Sequence, residues 1–174
     1  MFVGPLALFG ALAGSFCFIN DLRSSANIAF NVKPNTVDPN NLAFESLNGN
    51  IDPGENGNME ASGFWMWSTE GLIGLGIPNS KWKVVVYWNV PYGPKLIVSA
   101  NKLAIGFVKT EKASYLKTLD TSSSRLESKG FEIGEYRKGG VALVKCQEEI
   151  CIRGTMGTST KGKISITIYR KGTN

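Results

Sequence analysis

Residues that could do acid–base or metal chemistry are few in this 174-residue chain. There is no histidine, which removes the usual general base, the commonest metal ligand and serine–histidine catalysis together. Carboxylates occur as the pair Glu148 and Glu149, and as Asp52 and Glu55 in a loop rich in Asn, Gly and Pro. The loop lacks the regular ligand spacing of a calcium-binding loop. We therefore expect no enzyme, no metal site and no cofactor.

The cysteines are Cys17, Cys146 and Cys151, and they do not have the spacing of a metal site. Cys146 and Cys151 flank a short polar segment between two apolar runs. Facing each other across a hairpin, they could form a disulfide in an oxidising compartment. The alternative is a pair of free buried thiols.

The net charge of +5 is modest for a chain of this length. A basic surplus suits attraction to an anionic membrane or to nucleic acid, but it is also an ordinary aid to solubility. Nothing else in the sequence indicates a nucleic-acid partner, and we expect none.

The first 19 residues carry no charge, and Asp21 is the first charged residue. Three interpretations are open: a secretory signal peptide, a permanent transmembrane helix, or a helix that rests on the protein and enters lipid later. As a helix the run would be about 30 Å long. Small residues alternate along it with bulky ones, namely Leu6, Phe9, Leu12, Phe16 and Ile19.

From residue 27 onward the pattern is one of short strands and turns. The clearest strand is "KWKVVVYWNV", and the last strand places Ile164, Ile166 and Ile168 on a single face. Residues 110–125 contain helix formers at helical spacing and predict one short helix. The sequence therefore predicts a mainly β protein: a single β-sandwich over residues 27–174, flanked by an N-terminal apolar helix and one short second helix.

Several separated segments resemble the actinoporins, the pore-forming cytolysins of sea anemones, and their actinoporin-like relatives. The strongest is "VVVYWNVPYGPKL" at residues 84–96, which is similar to the family's strand and following "VPY" turn. The segments "SSANIAFNVKPNT", "STEGLIGLGI" and "CIRGTMGTSTKGKISITIYRKG" are similar to other family strands and follow in the same order.

This resemblance implies a function as well as a fold. A secreted monomer would bind a target cell membrane containing choline lipids, usually sphingomyelin. Residues 1–26 would then detach and insert, and several copies would form a homo-oligomeric pore. An uncharged N-terminal run on a β-sandwich agrees with such a toxin. The resemblance thus implies phosphocholine or sphingomyelin as the membrane partner.

The family's head-group residues carry over by matching flanks. They correspond here to Ser46, Ile73, Asn89, Pro91, Tyr92 and Tyr115. A tyrosine ring can attract a quaternary ammonium by a cation–π interaction. Leu119 and Asp120 stand where the family has further tyrosines, so four tryptophans are candidates for rebuilding an aromatic membrane interface: Trp65, Trp67, Trp82 and Trp88. Each could instead pack in the core.

A non-lytic lectin-like module that binds lipid or carbohydrate is the alternative function. Fungal lectins resemble the same fold without forming pores, and fold alone does not decide function. The apolar N-terminal segment favours the pore-forming interpretation, because such a lectin does not need it.

Overall fold

The computed structural model describes part of the chain, with side chains in some ranges and only the backbone in others. Backbone and side chains are described in these ranges: 70–77, 80–90, 100–112, 114–136, 142–157 and 164–172. For further strand residues only the backbone is described: 13–20, 26–32, 42–43, 50–51, 56–62 and 69.

Within these described ranges, twelve strands form two six-stranded sheets. The first sheet has the order β10-β11-β12-β1-β5-β3. Its strands have these bounds: β1 Ala13–Asn20, β3 Leu42–Ala43, β5 Asn56–Ser62, β10 Leu143–Gln147, β11 Ile150–Met156 and β12 Ile164–Arg170. Strands β1 and β12 run parallel, whereas β1 and β5 are antiparallel.

The second sheet is antiparallel and has the order β4-β2-β6-β7-β8-β9. Its strands have these bounds: β2 Ala26–Val32, β4 Asn50–Ile51, β6 Thr69–Gly76, β7 Trp82–Val90, β8 Asn101–Lys109 and β9 Glu132–Tyr136. Two short helices follow β8 in the chain: α1 Tyr115–Thr118 and α2 Ser123–Ser128. The predicted β-sandwich is confirmed.

The main core lies between the two sheets. Alternate residues of β7, including Val84, Val86 and Trp88, meet Ile164 and Ile166 of β12 there. A second, smaller core lies on the outer face of the second sheet, where Leu116 of α1 and Leu126 of α2 pack on strand residues. The helices thus cover one face of the sandwich, and the single short helix predicted for residues 110–125 is corrected to two.

Residues 13–20 form strand β1, so the prediction of a helix through this part of the N-terminal segment is wrong. A continuous apolar run of this length fits a buried strand as well as a helix, and its periodicity does not separate the two. Here β1 lies between β5 and β12 and has a strand neighbour on both sides. A helix and a paired strand both satisfy the backbone polar groups, and the two neighbouring strands decide for the strand.

The sandwich therefore includes residues 13–20, which lie before its predicted start at residue 27. Of the predicted pore-helix residues, Phe16 and Ile19 belong to β1. Leu6, Phe9, Leu12 and Asp21 lie outside the described residues. Neither described helix has the length and apolar character needed to cross a membrane.

Candidate functional site

Four polar residues form a row across the outer face of the second sheet, one from each of the strands β6 to β9. In the strand register, Glu70 lies opposite Asn89, Asn89 opposite Lys102, and Lys102 opposite Glu135. Directly opposite residues share a face of the sheet. On each of these strands, the residue two positions toward the middle of the sheet shares this face and packs in the core under the helices. This face is therefore the outer one. We call these four residues the polar row.

Tyr87 anchors the first end of the polar row. Its hydroxyl donates a hydrogen bond of 2.8 Å to a carboxylate oxygen of Glu70. Burial raises the pKa of Tyr87 far above its usual value, the bond to Glu70 raises it further, and a hydrogen bond with Asn89 acts in the opposite direction. Tyr87 therefore remains a neutral donor that holds the Glu70 carboxylate in one position.

Lys102 stands on the other side of Asn89, and its side chain reaches helix α2. Its ammonium donates a hydrogen bond of 2.9 Å to the hydroxyl of Ser123. A hydroxyl satisfies one of the three donors of the ammonium without neutralising its charge. The polar row thus presents a carboxylate and an ammonium on the two sides of a neutral amide.

Tyr115 lies on the same face, but further along β6. Its hydroxyl lies against Gly74, where an added Cβ would overlap it. Burial raises the pKa of Tyr115 to about 12. Gly74 pairs with Val85, which is four residues from Asn89, or about 13 Å along the strand. The structure does not bring the Tyr115 hydroxyl and Asn89 into one head-group cage.

One carried-over head-group position, Ile73, and one of the four tryptophan candidates, Trp88, lie in the core between the sheets. Ile73 and Trp88 are each 0% exposed. Neither presents a side chain to a lipid head group in this structure, which disagrees with the surface roles predicted for them. The cause is strand alternation, because each faces the opposite side of the sheet from the polar row.

Trp82 is half-buried and lies at the opposite end of β7 from Asn89. Its indole N–H donates a hydrogen bond of 3.1 Å to Glu148, and the Lys109 ammonium lies 5.8 Å from the ring centroid. Glu148 is in the hairpin between β10 and β11, where Cys146 and Cys151 form a disulfide. These contacts tie the hairpin of the first sheet to the end of the second.

The remaining predicted positions, Ser46, Trp65, Trp67, Pro91 and Tyr92, lie outside the described residues. The strand ends that flank them are described. Ser62, which precedes the segment with Trp65 and Trp67, pairs with Ala13. Thr69, which follows that segment, pairs with Val90, the residue before Pro91.

Glu70, Tyr87 and Lys102 were missed from the sequence. Glu70 lies two residues before an apolar residue on the same face, and Asn89 lies two residues after one. This period-two alternation is visible in the sequence. The spacing shows the alternation, but the identity of the partner strands comes only from the fold. Among the residues with described side chains, no group of His, Cys, Asp or Glu is arranged to hold a metal ion.

These elements define a two-sheet β-sandwich with two short helices on one face. Comparison with protein-family models and with curated protein sequences finds no match. The fold is similar to that of the lipid-binding protein Nakanori, with a TM-score of 0.65 and 10% sequence identity over 91% of this chain and 71% of that chain. The protein IP-1A from Alcaligenes faecalis aligns with a TM-score of 0.49 and 14% identity over 94% of each chain.

Proposed function

We propose that this protein is a secreted, membrane-permeabilising toxin that binds phospholipid membranes through one end of its β-sandwich. The observation that carries the proposal is a pair of cross-strand contacts, one in each sheet. The Asn101 side-chain amide at the start of β8 donates a 2.8 Å hydrogen bond to the Gly157 carbonyl oxygen directly after β11, so these ends of the two sheets lie together. Ala13 pairs with Ser62, and Thr69 pairs with Val90. They connect the apolar N-terminal run, the segment "GFWMWS" and the segment "PYGPKLIVS" to neighbouring strand ends.

Apolar and aromatic residues attached to one end of a rigid sandwich suit contact with lipid. Tryptophan and tyrosine prefer the boundary between lipid and water. The fold likeness to a lipid-binding protein supports this function at the level of the fold. The sequence resemblance to actinoporins supports choline lipids, sphingomyelin among them, as the membrane partner, with Pro91 and Tyr92 near the head group.

The position of β1 bears on how a pore would form. Residues 1–12 as a helix would be about 18 Å long, which is short of the roughly 30 Å hydrocarbon core. The apolar run spans that core only if β1 joins the helix. We therefore propose that the monomer first docks, that β1 then leaves its place between β5 and β12, and that several copies assemble the pore in the target membrane.

The disulfide is in keeping with secretion, since such bonds persist in oxidising compartments. A non-lytic lipid- or carbohydrate-binding lectin-like module remains the second candidate. Its support is the position of β1 between β5 and β12. A strand that is paired on both sides is a stable part of the sandwich and not a detached segment.

The two candidates differ in dye release from vesicles of phosphatidylcholine and sphingomyelin. We expect the full chain to bind these vesicles and to release dye. A chain starting at Ala13 keeps β1 and should bind without releasing dye. Equal leakage by both chains would contradict the insertion mechanism, and binding without leakage by the full chain would favour the non-lytic module.

A further inference from the structure

Basic residues gather at the end of the sandwich opposite the one proposed to meet the membrane. Strand β7 runs from Trp82 at this end to Val90 at the other, about 27 Å away. We call the Trp82 end the basic end. Its charged residues are six basic ones and three carboxylates: Lys81, Lys83, Lys109, Lys112, Arg170, Lys171, Glu111, Glu148 and Glu149. The other described side chains carry six basic residues against five carboxylates, so most of the positive excess lies here.

Contacts between strand ends bring these charged residues together. Trp82 lies opposite Lys109 in the register of β7 and β8. The Trp82 indole N–H donates a hydrogen bond of 3.1 Å to Glu148 in the hairpin between β10 and β11. Arg170 at the end of β12 forms an ion pair of 3.4 Å with Glu149 of the same hairpin. The ends of both sheets therefore form one surface.

Backbone hydrogen bonds hold the chain just beyond the strands to this surface. The Thr110 N–H donates to the Lys81 carbonyl oxygen at 3.0 Å, and the Lys112 N–H donates to the Thr110 hydroxyl at 3.0 Å. The Lys171 N–H donates to the Glu149 carbonyl oxygen at 2.8 Å. Lysines that follow β8 and β12 are thus positioned by their own backbone.

Two of the three carboxylates at the basic end lie in ion pairs with basic residues. Lys81 pairs with Glu111 at 3.4 Å, and the other pair is Arg170 with Glu149. The third carboxylate, Glu148, is bonded to a neutral indole N–H. Four further lysines form no ion pair with any described side chain: Lys83, Lys109, Lys112 and Lys171. These four lysines supply the excess of positive charge.

The basic end has a polar surface, which disfavours a lipid bilayer as its partner. Its large apolar side chains, Trp82 and Ile150, are half-buried and pack against the core between the sheets. The large apolar side chain that is exposed in the described part of the chain is Val144, opposite Arg153 in β11. A partner of the basic end is therefore bound by charge and hydrogen bonds, without an apolar anchor.

The mixture of charges favours an acidic polysaccharide over a nucleic acid. Double-stranded DNA carries one negative charge per about 1.7 Å of its axis, so its phosphates would meet the three carboxylates as well as the lysines. In an acidic polysaccharide, neutral hydroxyls separate the acidic groups. Carboxylates accept hydrogen bonds from hydroxyls, while ammonium groups form charge-assisted hydrogen bonds with sulfate or carboxylate.

We infer that the basic end binds an acidic polysaccharide, with the four lysines facing its sulfate or carboxylate groups. The three carboxylates of the basic end accept hydrogen bonds from its sugar hydroxyls. The inference does not rest on membrane binding, because it concerns the opposite end of the sandwich. A protein docked on a membrane through its other end leaves the basic end facing water.

The test measures binding to heparin, which carries both sulfate and carboxylate groups, and to neutral dextran. We expect the wild type to bind heparin with an affinity that falls as salt is raised, and not to bind dextran. The triple variant Lys109→Gln, Lys112→Gln, Lys171→Gln removes three positive charges. It should bind heparin at least about tenfold more weakly, with a smaller dependence on salt.

A matched triple variant separates the basic end from general effects of net charge. Lys117→Gln, Arg125→Gln, Arg153→Gln removes the same charge from exposed residues elsewhere and should bind heparin as the wild type does. Melting temperatures show whether each variant folds. If the first triple variant does not fold, the double variant Lys112→Gln, Lys171→Gln decides, because both residues are exposed and lie outside the strands.

The outcomes separate this inference from the proposed function. Equal weakening by the two triple variants overturns the inference, since net charge alone would then explain the binding. Binding to double-stranded DNA as tight as to heparin at the same salt overturns the polysaccharide assignment. Binding to choline vesicles but not to heparin overturns the inference and leaves the proposed function standing. Binding to heparin without binding to any vesicle does the reverse.

Discussion

Phe16 of β1 lies opposite Ile164 of β12, and the two strands run parallel. On its other side, Phe16 lies opposite Met59 of β5 in an antiparallel pair. The apolar N-terminal run is therefore built into the interior of a sheet over residues 13–20. Any insertion of this run into lipid has to break two strand ladders, which makes the release of β1 a testable step.

A cross-link between β1 and β5 should block permeabilisation but not docking. Cys17 lies opposite Asn58 in the register, and directly opposite residues are close enough for a disulfide in favourable pairs. In Asn58→Cys we expect oxidised protein to bind vesicles without releasing dye, and reductant to restore release. Wild-type protein with the same reductant is the control. Mass spectrometry verifies the cross-link. Full dye release by the cross-linked protein would mean that β1 stays in the sheet during permeabilisation.

Adding a side chain at Gly74 should destabilise the second sheet. The added methyl group of Gly74→Ala would overlap the Tyr115 hydroxyl, and overpacking of this kind costs about 1–3 kcal/mol. Urea unfolding measures the loss. In Tyr115→Phe, which lacks the hydroxyl, the same glycine change should cost less, and an equal cost in both backgrounds would show that the hydroxyl is not the obstacle.

Reducing the hairpin disulfide should lower stability. Cys146 and Cys151 are five residues apart, and in the chain-entropy model a closed loop this short contributes about 2 kcal/mol. We expect the double variant Cys146→Ser, Cys151→Ser to lose about that amount in urea unfolding. Reductant should lower the stability of the wild type to the same level and leave the double variant unaffected; insensitivity of the wild type would contradict the role of the bond.

Stability should fall at alkaline pH because of buried tyrosines. Burial raises the pKa of Tyr115 to about 12, so the folded state holds this proton more tightly than the unfolded state does. The resulting stabilisation is complete below the ordinary value of about 10 and is lost as the pH rises through the folded value. Urea unfolding between neutral and alkaline pH should show a shallower loss in Tyr115→Phe. Parallel curves for the two proteins would exclude Tyr115 as a contributor.

Much of the fold could be read from local pattern. The alternation in "KWKVVVYWNV" predicts the face of β7 that carries Val84, Val86 and Trp88, and these three residues lie together in the inter-sheet core. Ile164, Ile166 and Ile168 share a face of β12 in the same core. Such alternation is visible in the sequence because side chains of a strand point to opposite faces in turn.

Less of the candidate site could be predicted. Asn89 was found through its flanks, but its partners Glu70 and Lys102 lie 19 and 13 residues away in the chain and meet it only through the register. Burial of Ile73 and Trp88 likewise follows from which face of the second sheet meets the first. Sequence flanks give a position along the strand, whereas the partner across the sheet is a non-local property.

The sequence by itself determined that this is a β-sandwich without histidine chemistry. Composition and period-two alternation can be read from each short stretch of the chain without knowing its neighbours in space. Only the tertiary structure decided that residues 13–20 form a strand, that Tyr115 packs on Gly74, and that a carboxylate, an amide and an ammonium stand in one row. The physical reason is that an apolar run satisfies its backbone equally well as a helix or as a paired strand. The neighbours that β5 and β12 provide on its two sides settle that choice.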